Sequence, residues 1–196
     1  MKFPLSAVAT VVVLLMSCFG SAAMALEVPK DKQTALGKYL TAKEAHDLVT
    51  AERDKVLFVD VRTAAELMFV GMTNDIDAHV PFVDLPSPPA WDDKNGRLQL
   101  VPNPSFVSEV EALLARKGLV KADKVIVICR SGDRTVKAVN ALAAAGFTNA
   151  WSVYEGFEGD LSPDGRRTIN GWKNAGLPWT YKLDKGKLFL VPVAAQ

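Results

Sequence analysis

Lys124-Val125-Ile126-Val127-Ile128-Cys129-Arg130-Ser131-Gly132-Asp133-Arg134-Thr135 passes without a break from an apolar run into a short polar turn. Its first part is β-branched and lacks polar alternation, which suits a strand covered on both faces. The residues beyond it predict a helix from about Thr135 to Ala145, with Gly146 as its stop. A buried strand that feeds a helix through so short a turn is the unit from which parallel α/β sheets are built.

Working outward, Val56-Leu57-Phe58-Val59-Asp60-Val61 has the same character and predicts a second buried strand. Thr41-Ala42-Lys43-Glu44 is a capping box that opens a helix, with Ala45, Leu48 and Val49 on one face. Thr63 to Phe69 reads as a short helix ending near Gly71, and His79 to Val83 as a short strand. Asn103-Pro104 starts a helix running to about Lys117, with Phe106, Val110, Leu113 and Leu114 as its apolar stripe. Ala150 to Val153 reads as a further strand, and Trp172 to Leu177 as a last helical turn before Pro178. Leu85–Pro102 and Asp160–Asn170 are extended loops, read as decoration of the domain with docking surfaces as the alternative. Strands alternating with helices predict one α/β domain over residues 39–180 with a mainly parallel sheet, preceded by an exposed lead-in (26–38) and followed by a tail (181–196).

The composition agrees with one domain. The chain has 196 residues, 49% apolar and 23% charged, enough for one substantial core. Lys and Arg number 23 against 22 Asp and Glu, so no basic field exists to hold nucleic acid or an anionic membrane. Met1-Lys2, the apolar run from Pro4 to Met16 and the small-residue site Ala23-Met24-Ala25 form the three parts of a secretory signal peptide. Cleavage after Ala25 and a periplasmic destination are expected, with no stable membrane insertion afterwards. Leu15-Met16-Ser17-Cys18 offers the alternative of a lipoprotein anchored through Cys18. Removal of residues 1–25 leaves Cys129 as the one thiol, which cannot form an internal disulfide. With His46 and His79 as the only histidines, no metal site and no cofactor are expected.

In a parallel α/β sheet, ligands bind beyond the carboxyl ends of the strands, and Cys129 stands at one of those ends. The turn with Gly132 can aim several N–H groups inward as an anion nest, and the following helix adds the positive end of its dipole. Arg130 and Arg134 add formal charge, whereas Asp133 offsets part of it. Together these favour a thiolate, the reactive form of the sulfur. Asp60 and Arg62, at the end of the other buried strand, are expected to brace neighbouring loops as a paired contact.

These residues carry a resemblance. Cys129-Arg130-Ser131-Gly132-Asp133-Arg134 resembles the active-site loop of rhodanese-like sulfurtransferases, and Asp60-Val61-Arg62 followed by Glu66 resembles that family's aspartate-valine-arginine segment. Gly146-Phe147, Gly156-Phe157-Glu158-Gly159, and Trp172 with Gly176-Leu177-Pro178-Trp179 match in the same order, so the similarity spans Tyr39 to Trp179. The resemblance implies a single-domain protein of exported bacterial type with a five-stranded, mainly parallel sheet and helices on both faces. It implies that Cys129 carries a persulfide, taking sulfur from a small anionic donor such as thiosulfate and passing it to a thiol or cyanide. The substrate-binding set would be Arg130, Ser131, Gly132, Asp133, Arg134 and Thr135, with Arg134 holding the donor's anionic group. The family's glycine-histidine pair has no clear counterpart, since Gly71-Met72 stands at its spacing and His79 lies further on. Neither Met72 nor His79 receives a catalytic role.

Two other readings are open. Phosphatases and arsenate reductases of this fold have five residues between cysteine and arginine, whereas Cys129 and Arg134 enclose four, which favours sulfur chemistry. A sulfur-carrying or redox-partner module without turnover would use the same cysteine but keep its sulfur.

Overall fold

The computed structural model describes residues 27–190. The segment read as a signal peptide, with Cys18, lies outside the described residues, as do residues 191–196 of the tail. Strand β1 (Tyr39–Leu40) leads into helix α1 (Ala42–Ala51), whose capping box between Thr41 and Glu44 is formed at both hydrogen bonds. Strand β2 (Val56–Asp60) follows, then helix α2 (Ala64–Val70), opened by a second capping box between Thr63 and Glu66. Strands β3 (Ala78–His79), β4 (Val83–Asp84), β5 (Trp91–Asp92), β6 (Arg97–Leu98) and β7 (Val101–Pro102) precede helix α3 (Phe106–Arg116). Strand β8 (Lys124–Ile128), helix α4 (Asp133–Ala144) and strand β9 (Ala150–Val153) complete the regular elements apart from three short 3-10 turns.

Five strands form the central sheet in the order β1-β9-β8-β2-β3, and every pairing in it is parallel. Strand β8 is therefore flanked on both sides, as its uninterrupted apolar sequence requires. Side chains alternate across the sheet and split the core in two. Leu57, Val59, Val125 and Val127 pack with Val110 and Leu114 of α3 and Val139 and Leu142 of α4. Val56, Phe58, Ile126 and Ile128 pack on the other face with Ala45 and Val49 of α1, Leu67 of α2, Phe157 and Trp172. Full burial of each such large apolar side chain stabilises the fold by about 1.5–3 kcal/mol. Helices on both faces of a parallel five-stranded sheet are the architecture expected from the sequence.

Five local readings differ. The run from His79 to Val83 is not one strand, because β3 ends at His79 in the central sheet and β4 begins at Val83 in a separate ladder. The segment read as an exposed lead-in is docked, because Val28 and Lys32 are buried and the Ala35 N–H donates to Asn140 Oδ1 of α4 at 2.8 Å. Its polar residues conceal this, since Lys32 buries an aliphatic stem and ends on a carboxylate. Helix α4 starts at Asp133 rather than Thr135, so the turn after Cys129 is tighter than read. The stretch 83–102 folds into two small antiparallel ladders, β4 with β7 and β5 with β6, of two residues per strand. Trp172 to Leu177 forms turns rather than a helical segment, with Trp172 buried and its indole N–H donating to the Pro178 carbonyl at 2.9 Å. Among the described residues, no helix is long and apolar enough to cross a membrane.

Candidate active site

The end of β8 places Cys129 where the chain must turn from sheet to helix, and the side chain is 1% exposed. Gly132 makes the turn, with φ 94°, a left-handed conformation that costs glycine little and other residues more. This conformation aims the Gly132 N–H at Cys129 Sγ, 3.2 Å away. The N–H groups of Arg130, Ser131, Asp133 and Arg134 find no acceptor among the described residues. They belong to the turn and the first turn of α4, where the helix dipole is positive. One N–H on the sulfur and others unsatisfied beside it make a site suited to a thiolate and an anionic ligand.

A second segment grips the turn from below. The Phe157 N–H donates to the Cys129 carbonyl at 2.8 Å, and the Glu158 N–H donates to the Arg130 carbonyl at 2.9 Å. Gly156 makes this approach feasible, since a Cβ there would stand 2.5 Å from the Arg130 carbonyl. A Cβ on Gly132 would stand 2.0 Å from the Tyr154 carbonyl oxygen. Thr135 is fully buried, with its hydroxyl donating to the Gly132 carbonyl at 2.5 Å and lying 2.6 Å from Ser152 Oγ of β9. Thr135 thus ties the turn to the sheet rather than facing a ligand. Ser131 is also buried, with Oγ donating to Asp133 Oδ2 at 3.2 Å, while Asp133 and Arg130 are exposed.

Arg134 is paired within the protein. Its two terminal nitrogens donate to the two oxygens of Glu66, at 2.6 and 2.5 Å, in a bidentate pair. Burial alone would raise the Glu66 carboxyl, but the hydrogen bonds and charge of Arg134, with the Thr63 N–H and the Arg62 charge, bring it from 4.5 to about 2. Burial likewise opposes the Arg134 charge, and Glu66, with help from Cys129 and Asp60, raises its basicity above the ordinary value. Arg134 therefore spends much of its charge on a permanent partner. Arg130, 3.9 Å from Glu66 and less buried, is the guanidinium still open to solvent.

Asp60 and Arg62 form a buried ion pair at the end of β2. Both side chains are fully buried; Arg62 Nε and Nη2 donate to the Asp60 carboxylate, and Nη2 also donates to the Gly71 carbonyl at 2.9 Å. The guanidinium lies 3.9 Å from the Phe157 ring centre, linking the pair to the segment under the turn. His79 is buried, and its Nε2 donates to the Arg62 carbonyl at 2.8 Å. Met72 is buried in the core. Two residues were given no site role in the sequence reading. Glu66 had a local signal as a capping residue, but nothing local foretold its contact with Arg134, 68 residues away. Lys32, which reaches across Gly132, lay inside the supposed lead-in.

A five-stranded parallel α/β sheet with a buried cysteine at a strand-turn-helix junction defines the class of fold. The rhodanese-like domain profile matches residues 41–161, and the chain belongs to that family of sulfurtransferase-type proteins. It is 28% identical over 144 residues to the uncharacterized protein RP600 homolog of Rickettsia rickettsii, covering 72% of this chain and 96% of the relative. It is 28% identical over 134 residues to the chloroplastic thiosulfate sulfurtransferase 16 of Arabidopsis thaliana, covering 68% and 85%. The crystal structure of Rv0390 from M. tuberculosis superposes with a TM-score of 0.56 at 28% identity, covering 74% of this chain and 98% of that one.

Proposed function

We propose that the protein is a sulfurtransferase in which Cys129 carries sulfane sulfur from thiosulfate, or a similar small anion, to a thiol or cyanide. The observation that carries this reading is the Gly132 N–H directed at Cys129 Sγ from the start of α4, at 3.2 Å. In the first step the thiolate attacks the outer sulfur of thiosulfate. A sulfur–sulfur bond forms to Cys129, and the bond within the donor breaks with its electron pair leaving on sulfite. The terminal sulfur of the resulting persulfide is anionic, so the N–H groups of the turn stabilise it as they stabilise the thiolate. In the second step the acceptor attacks that terminal sulfur, and the Cys129 thiolate is restored as the leaving group.

The donor's sulfonate end meets the unpaired N–H groups and Arg130, while Arg134 serves as a fixed post shared with Glu66. The relative named a thiosulfate sulfurtransferase supports the donor class. The reading includes export through residues 1–25, which puts a single unpaired thiol in an oxidising space where a bound sulfur would shield it.

Mass spectrometry of the protein after thiosulfate, and again after adding a thiol acceptor, tests the reading. We expect a gain of one sulfur atom that the acceptor removes, repeated over cycles, and no gain in Cys129→Ser. Stable uptake without release points to a carrier; uptake by Cys129→Ser overturns the mechanism.

A further inference from the structure

Lys32 is 4% exposed, and it is the lysine found among the buried charged residues of the described chain. Burial is costly for an ammonium unless it is paired, and the partner here is Asp160 Oδ1, 2.5 Å from Nζ. Asp160 is itself held, with its N–H donating to Asn170 Oδ1 at 2.9 Å and its Oδ2 accepting from Asn170 Nδ2 at 3.0 Å. On the way to Asp160 the lysine stem crosses the catalytic turn. Its Cδ lies 3.2 Å from the position that a Cβ on Gly132 would take, so the stem packs on that face of the glycine beside the Tyr154 carbonyl. Gly132 is the residue whose N–H reaches Cys129 Sγ. Residues 156–159, which hold the Arg130 carbonyl, run directly into Asp160.

We infer that Lys32 is a positioning residue for Cys129, acting through Gly132. Its stem closes the ring around the turn that residues 156–160 begin and is held there by packing on Gly132, while the Asp160 contact offsets the cost of burying the ammonium. Lys32 lies before the matched family region, residues 41–161, and Asp160 lies inside it. The inference rests on the reading of Cys129 as the reacting group, but it concerns the thiolate alone and not the sulfur donor.

The test is the pH dependence of thiolate ultraviolet absorbance, compared among wild type, Lys32→Ala and Lys32→Met, each read as the difference from the same chain carrying Cys129→Ser so that Cys18 does not contribute. The charged groups around the turn are Arg130 and Asp133 within it or beside it, Arg134 on α4, Glu66 on α2, and Asp60 with Arg62 at the end of β2. All of these are unchanged in both variants. Both variants also lose the Asp160 ion pair, so they differ in whether an apolar stem still covers Gly132. In Lys32→Ala the midpoint should rise by about half to one pH unit, because a loosened N–H stabilises the thiolate less. Lys32→Met should stay close to wild type. An equal rise in both variants overturns the inference, since charge rather than packing would then be at work. A fall in melting temperature with no change of midpoint in Lys32→Ala also overturns it, because the role would be merely structural. If wild type takes up no sulfur while these midpoints behave as expected, the proposed function fails and the role of Lys32 stands.

Discussion

The Asp60–Arg62 pair closes within three consecutive residues and never meets solvent, whereas the Glu66–Arg134 pair joins residues 68 apart and keeps an edge in water. Both stand at the carboxyl end of the sheet, and each combines a carboxylate with a guanidinium. The first is a structural brace that holds the end of β2, the Gly71 carbonyl and the Phe157 ring in one unit. The second ties the N-terminal turn of α2 to that of α4 and limits how much positive charge the turn after Cys129 presents. The same chemistry thus serves architecture in one place and site electrostatics in the other, and depth and reach decide which.

The sharpest break of the comparison is Arg62→Leu. It leaves the Asp60 carboxylate buried without its partner and should cost about 3–5 kcal/mol in denaturant unfolding. Adding Asp60→Asn should recover a large part of that loss, since no uncompensated charge is then left. If the single and double variants are equally unstable, the brace works by shape rather than charge.

The outer pair should show itself in acid. The Glu66 carboxyl is depressed from 4.5 to about 2 in the fold, so the unfolded chain takes up its proton first as pH falls. Its contribution is complete above about pH 4.5 and is lost as pH falls through about 2, amounting to about 3 kcal/mol. Glu66→Gln should flatten that part of the stability–pH curve in urea titrations. An unchanged slope would mean that Glu66 is not the group that titrates there.

The exposed pair of Lys43 and Asp47 on α1 is the baseline for both. Lys43→Ala should alter stability by less than about 0.5 kcal/mol, because solvent screens exposed helical pairs. A thermal melt that moves by several degrees would mean that surface pairs matter more in this protein than the contrast assumes.

Much of this arrangement could be read from the sequence because its signals are local. Strands β2 and β8 are unbroken apolar runs, and both capping boxes have their partner three residues away. The placement of Cys129 at a strand end followed from the same run. Long-range pairing left no local trace. Arg134 carries no local mark of its ion pair with Glu66, 68 residues away. Lys32 reads as a surface residue because its burial depends on Asp160, 128 residues away. The ladders of the 83–102 stretch escaped because two-residue strands have no periodicity to detect.

The two missing side chains at Gly132 and Gly156 have a consequence for anyone wishing to retune the protein. With a Cβ at either place colliding with main chain at 2.0 to 2.5 Å, these positions and Cys129 form a fixed stencil. Variation has to enter through Arg130 and Asp133, whose side chains point outward from it. A library confined to those two positions would change the rim of the turn while leaving the main-chain cradle of Cys129 intact.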